Sequence, residues 1–238
     1  MELAFKQEQF NRAMERYNSG TGYRILGRAV SIIVISLQLY LLLRIWPQSI
    51  GVSWQVFALL SAYLLTDFIN GLVHMYMDNN DAYDSLFGPL IANFHLHHKV
   101  PLYRKNNLLM VYFTESGSKL WLVLYLLGVV AIQDRFEINA PMLHVLVYVG
   151  ILSSVAELSH YLCHTSRSAL ARFLASSGLL LSKRHHAGHH LHDNKNYAFL
   201  NGCSDPLLNL IAAACCKGYK NNTDLHYATY DGMDGEER

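Results

Sequence analysis

From Ala29 to Leu43 the chain carries no charged residue. Counted outward to Ile25 and Trp46, with Arg28 and Arg44 snorkelling, the run is long enough to cross the ~30 Å of a bilayer's hydrocarbon core. Three further apolar segments follow. The second covers Ile45 to Thr66, turns at Pro47 and Gly51, and continues past Asp67 to Asp78. The third, Leu120 to Gln133, lies between Lys119 and Asp134-Arg135. The fourth, Ile138 to Ala156, runs on into Glu157, His160 and His164. The second and fourth are longer than a membrane requires, so each projects a polar end beyond the lipid. Phe173–Ser182 and Pro206–Cys216 are too short to span and read as interfacial or re-entrant helices. The pattern predicts an all-α integral membrane protein with about four transmembrane helices.

Residues 1–24 read as a cytoplasmic amphipathic arm, 25–216 as the membrane domain and 217–238 as a polar tail. The arm contains acidic residues and reaches no small-residue cleavage site, so a removable signal peptide is not expected. Charged residues are only 16% of the chain, well below the quarter or so of a soluble domain. A net charge of +1 excludes a nucleic-acid footprint, and four cysteines form neither a disulfide framework nor a CxxC knuckle.

Of the 19 Lys and Arg residues, the first and third connections hold only Arg44 and Arg135. The positive-inside bias therefore places both termini and the central loop in the cytoplasm. The expected location is a multi-pass position in the cytoplasmic membrane of a bacterium or the endoplasmic reticulum of a eukaryote. The 13 histidines sort the same way, with only His144 at the outer end of a span.

Those histidines are clustered. Asp67, His74 and Asp78 recur on one helical face of the second span. The central loop brings His95, His97 and His98 in FHLHHKVP. Adjacent histidines do not share a face of a regular element, but at a turn or helix end they can converge on one metal or a pair. The fourth span ends in Glu157, His160 and His164, an i,i+4 imidazole pair with a carboxylate one turn earlier that suits either ligation or an imidazole N–H. The densest run, KRHHAGHHLHDNKNY, holds the overlapping pairs His185/His189 and His186/His190 on stripes about 100° apart. One zinc needs three or four ligands, and the chain offers about twice that. Together the clusters predict a nitrogen-rich site for two metals at the cytoplasmic membrane surface. Imidazole suits zinc, iron, nickel or copper; oxygen chemistry on an inert lipid chain favours iron.

In LVHMYMD around His74, FHLHHKVP, SHYLCH and KRHHAGHHLHDNKNYAFLNG, taken in order over roughly residues 60–215, the chain resembles the histidine-rich membrane lipid desaturases of the plasmanylethanolamine desaturase and CarF-type family. That resemblance implies a di-iron centre held by His74, His97, His98, His160, His164, His185, His186, His189 and His190. It implies O2 and two electrons as co-reactants, and desaturation of a membrane lipid chain, in the animal enzyme the conversion of a plasmanyl alkyl ether into a plasmalogen vinyl ether. Asn106 and Asn107 stand where the family usually has a histidine. Asp193 to Tyr197 replaces another such stretch, where the carbonyl oxygen of Asn194 can ligate or bond a metal-bound water. Asp67, Asp78, His95, Glu157 and His192 are expected as supporting groups or additional ligands.

No Rossmann glycine loop or CxxCH is present, so electrons are expected from a separate cytochrome b5-like or ferredoxin-like carrier. Lys99, Arg104, Lys105, Lys183 and Arg184 suit contact with that carrier or with a lipid phosphate, and a solvated positive-inside face accounts for them equally well. Three other readings stay open on the residues alone: a di-iron lipid hydroxylase, a zinc-dependent membrane hydrolase, and a metal transporter or sensor. His144 and His226 are expected to be bystanders.

Overall fold

The computed structural model describes residues 1–99, 107–115 and 119–232, and among them all regular structure is helical. Among the described residues three helices are long and apolar enough to cross a membrane: α2 (Thr21–Ile45), α3 (Gly51–Asp78) and α7 (Ala140–Thr165). α1 (Glu2–Ser19) precedes them, and α4 (Gly88–Lys99), α5 (Leu108–Glu115) and α6 (Leu120–Arg135) lie between α3 and α7. Four short helices close the chain: α8 (Ala169–Ser176), α9 (Lys183–Leu191), α10 (Asp205–Cys215) and α11 (Thr223–His226).

The segment expected as the third span is α6, which has 16 residues. At 1.5 Å per residue it measures ~24 Å, short of a full hydrocarbon core. It lies within the bundle nonetheless, where Leu122, Leu126 and Val129 pack with Val34 and Leu41 of α2 and Leu143 and Val147 of α7. Arg44, at the end of α2, pairs with Asp134 near the end of α6 at 3.5 Å, so those two ends lie together. α7 starts close by, its first turn capped by Asn139 accepting from the Met142 N–H and reinforced by Pro141.

α3 and α7, with 28 and 26 residues, measure roughly 40 Å each and overrun the hydrocarbon. They pack along their length through Ala58, Ala62, Val145 and Val149, small and branched residues that let the backbones approach. Their overrunning ends carry His74 and Asp78, and His160 and His164. Within the segment expected as an amphipathic arm, α1 buries Phe10, Ala13 and Met14 against Tyr83, Ile91, Ala92 and Leu96 of the α4 region. Tyr230 joins that cluster, so the N-terminal helix and the C-terminal segment meet at the histidine end.

Two irregular loops enter the bundle below the histidines. Asp67 of α3, fully buried, accepts N–H bonds from Leu200, Asn201, Gly202 and Ser204 and the Ser204 hydroxyl, at 2.7 to 3.2 Å. Gly202 has φ +87, the left-handed conformation that glycine adopts without penalty, and this allows the loop to wrap one carboxylate. Ser159 of α7 donates to the Leu200 carbonyl and accepts from the Leu181 N–H, tying in the second loop, and Tyr63 donates to the Leu179 carbonyl. Irregular backbone packed into a bundle needs protein groups to satisfy it, and here they do.

Candidate metal centre

Nine side chains from α3, α4, α7 and α9 converge as two adjacent groups. In the first, ligand atoms of His97, His164, His186 and His190 all lie within 4.8 Å of one another. Their Nε2 atoms stand 3.1 Å apart between His97 and His164 and 3.0 Å between His190 and His186. The Nε2 of His160 lies 2.9 Å from that of His186 and 3.2 Å from that of His164. A neutral imidazole has one N–H, so a single proton cannot bridge so many mutually close nitrogens. Ligand nitrogens at about 2.0–2.1 Å from a common ion, by contrast, fall roughly 3 Å from each other.

The second group is His74, Asp78, His98 and His189. The Asp78 carboxylate faces three Nε2 atoms, those of His98, His189 and His74, at 3.3, 3.5 and 3.7 Å. Both its oxygens are buried with no well-formed hydrogen bond, so an ionised carboxylate here needs a cation beside it. The rings are held from behind. His74 donates its Nδ1–H to the Tyr197 carbonyl at 2.8 Å and His189 its Nδ1–H to the Lys195 carbonyl at 2.9 Å. A carbonyl can only accept, so each ring is fixed in the tautomer that leaves Nε2 bare toward Asp78. His98 makes the corresponding bond to the Asp224 carboxylate at 3.0 Å.

Burial holds His97, His186 and His189 well below the ordinary histidine range, with neighbouring imidazoles adding to the effect in each case. Burial, then His98 and His164, take His190 down to about 3. These rings are therefore neutral at pH 7, the form that ligates. His98 goes the other way: burial opposes its charge, but Asp78 and Asp224 overcome it and push the ring up to about 9. Two carboxylates thus favour a cation at this ring, whether a proton or a metal ion in its place. The donor set fits two ions, one among imidazoles alone and one shared between imidazoles and a carboxylate.

A comparison with family models matches the lipid desaturase domain over residues 63–213, more than half of the chain. The chain belongs to the lipid desaturase domain family. No curated protein matches it, and no solved structure does. Every residue of both groups lies within the desaturase domain, and membership supports oxidoreductase-type activity at a general level.

Within the desaturase domain, not every expected site residue reaches a metal position. His185 joins neither group. Its Nε2 contacts Asp205 Oδ2 at 2.5 Å, because its place on α9 directs it toward the start of α10 while His186 and His190 point inward. His185→Ala is expected to retain full metal content and lose less than ~10-fold in turnover, against more than ~100-fold and a lost ion for His186→Ala, measured by metal quantification and product assay. His95 uses both ring nitrogens elsewhere: Nε2–H donates to the Met77 carbonyl at 2.8 Å, leaving Nδ1 to accept from the Tyr83 hydroxyl at 2.8 Å. His192 ends α9 and is exposed. Asn194, at φ 52, accepts from the Tyr197 hydroxyl at 3.0 Å and donates to the Cys216 carbonyl, away from both groups. Asn107 caps α5 by accepting from the Met110 N–H. Glu157 pairs with the buried Lys119 at 3.1 Å and lies 3.9 Å from His160 Nδ1.

Among the cations, Lys183 and Arg184 are exposed at the start of α9, and Lys99 donates to the Tyr230 carbonyl at 3.0 Å. Arg104, Lys105 and Asn106 fall outside the described residues. His144 bonds the Ala140 carbonyl at the opposite end of α7. His226, expected in a polar tail, is buried and donates its Nδ1–H to Tyr83 at 2.9 Å. Sequence reasoning missed Asp224, Tyr219 and Lys119. None belongs to a histidine cluster, and only their buried positions in the fold bring them to the site.

Proposed function

We propose that this protein is an O2-dependent lipid desaturase that uses two iron ions to form a double bond in a membrane lipid chain. The observation carrying the proposal is the pair of adjacent groups, one of imidazoles and one containing Asp78, at the overrunning ends of two spanning helices in a lipid desaturase domain. The specific product favoured by the sequence resemblance is the vinyl ether of a plasmalogen, made from a plasmanyl lipid. His97, His160, His164, His186 and His190 would hold one iron, and His74, Asp78, His98 and His189 the other. When bound, the irons supply the redox chemistry by which O2, two electrons from an external carrier, two protons and two hydrogens from neighbouring carbons become two waters and an alkene.

The chain's own residues account for positioning and dryness. The Tyr197 and Lys195 carbonyls fix His74 and His189, and Asp224 holds His98. Phe94 and Phe199 set their ring edges against His74, with centroids 5.4 and 5.5 Å away, forming an apolar wall that excludes water and suits a hydrocarbon chain. In this reading α6 completes a fourth crossing, the histidine end faces the cytoplasm, and Lys99, Arg104, Lys105, Lys183 and Arg184 meet a lipid phosphate or the cytochrome b5-like or ferredoxin-like donor.

Metal analysis of the purified protein combined with lipid mass spectrometry tests this. About two irons per chain, with a product two hydrogens lighter than substrate, is the expected result. One tightly bound zinc without iron-supported turnover overturns it in favour of a hydrolase, and a product heavier by one oxygen makes the protein a hydroxylase.

A further inference from the structure

The second group lies within the desaturase domain, but the residues that support it do not all do so. Residues 219–226 lie past the end of the family match at residue 213, yet they touch three of the four members of that group. Thr223 donates to the Asp78 carbonyl at 2.6 Å. The fully buried Tyr219 packs its ring against His98 and His189, with centroids 5.1 and 5.3 Å away, and its hydroxyl bonds the His189 and His192 carbonyls. Asp224, 9% exposed, accepts from His98 Nδ1 through one oxygen and from Lys220 Nζ at 2.8 Å through the other.

The three imidazoles of this group are anchored unequally. His74 and His189 lean on backbone carbonyls that the desaturase domain itself supplies, at Tyr197 and Lys195. His98 sits on the last turn of α4, and its anchor is a side-chain carboxylate 126 residues further along the chain. A carboxylate behind a ligating imidazole fixes its orientation and makes the far nitrogen a stronger donor.

We propose that Asp224 is a positioning residue for the second metal position, holding His98 with Nε2 aimed at the ion, so that the C-terminal segment is a working part of the centre. The inference rests on the two-metal reading above. Asp224 touches no reacting atom and acts through His98.

The test uses the full-length protein in detergent, loaded with iron(II) alone and then challenged with an iron chelator. Asp224→Asn keeps the size of the side chain and removes its charge. It is expected to release one metal equivalent ~10–100-fold faster than wild type while the other equivalent leaves at the wild-type rate. Lys220→Met removes the ion pair but leaves the carboxylate on His98, and both equivalents are expected to behave as in wild type. Equal release from Asp224→Asn and wild type overturns the proposal. So does Lys220→Met matching Asp224→Asn, since the carboxylate would then only be fastening the tail. Should Asp224→Asn fail to fold, Asp224→Glu loaded with cobalt(II) decides. A change confined to one of the two cobalt absorption signatures supports the assignment, and an unchanged spectrum overturns it. Wild-type protein that binds no metal overturns the two-metal reading and this inference with it.

Discussion

Asp78→Ala is expected to abolish turnover and to halve the metal content, with the remaining ion held by the imidazole group. Asp78 supplies the one negative charge at the heart of the second position, facing three Nε2 atoms from three different helices. Without it an iron there would meet neutral rings only, and the carboxylate's contribution to charge balance would be lost inside a buried site. The effect should exceed that of removing any one supporting group, because a lost ligand empties the position whereas a lost anchor loosens it. Metal quantification and lipid product analysis on folded variant protein check this. Two irons retained with measurable desaturation would exclude Asp78 from the centre.

The largest expected loss of stability comes from a residue that approaches no metal. Asp67→Ala strips the acceptor from four backbone N–H groups and a hydroxyl in the loop between residues 200 and 204. Each donor left buried without a partner costs roughly 1–3 kcal/mol, so a total loss of at least ~3 kcal/mol is expected. Thermal denaturation of the metal-free protein in detergent measures it directly. Because the same loop leads back through Ala198 to the Tyr197 carbonyl behind His74, metal affinity should fall as well. A variant melting within a degree or two of wild type would show that the loop is held by its other contacts.

Local periodicity was enough to read much of this molecule. The uncharged runs became α2, α3 and α7, the i,i+4 pair His186/His190 lies in one group with His164, and His160, one turn before His164, lies beside it. Adjacent His97 and His98 were expected to reach one metal or a pair from a turn or a helix end. They sit in the last turn of α4, and the ~100° between successive residues sends one ring to each group. His185 was beyond such reasoning, since its partner Asp205 comes 20 residues later and only tertiary packing chooses between that carboxylate and the metal centre. The same holds for Asp224. A short polar stretch with no apolar stripe gives no signal that it will be buried beside His98. The family match ends before it, at residue 213.

The meeting of α1 with residues 225–230 at the histidine face sets an order of events during biosynthesis. Gln7, in the first helix, donates to the Leu225 carbonyl across 218 residues of sequence, and Asn18 to the Tyr230 hydroxyl across 212. A ribosome makes those partners after every spanning helix. While translation is under way, α1 lacks its docking surface at the C-terminal segment and His98 lacks the carboxylate behind it. Under the two-metal reading, the second position therefore gains its full support only once residues 219–230 have been made.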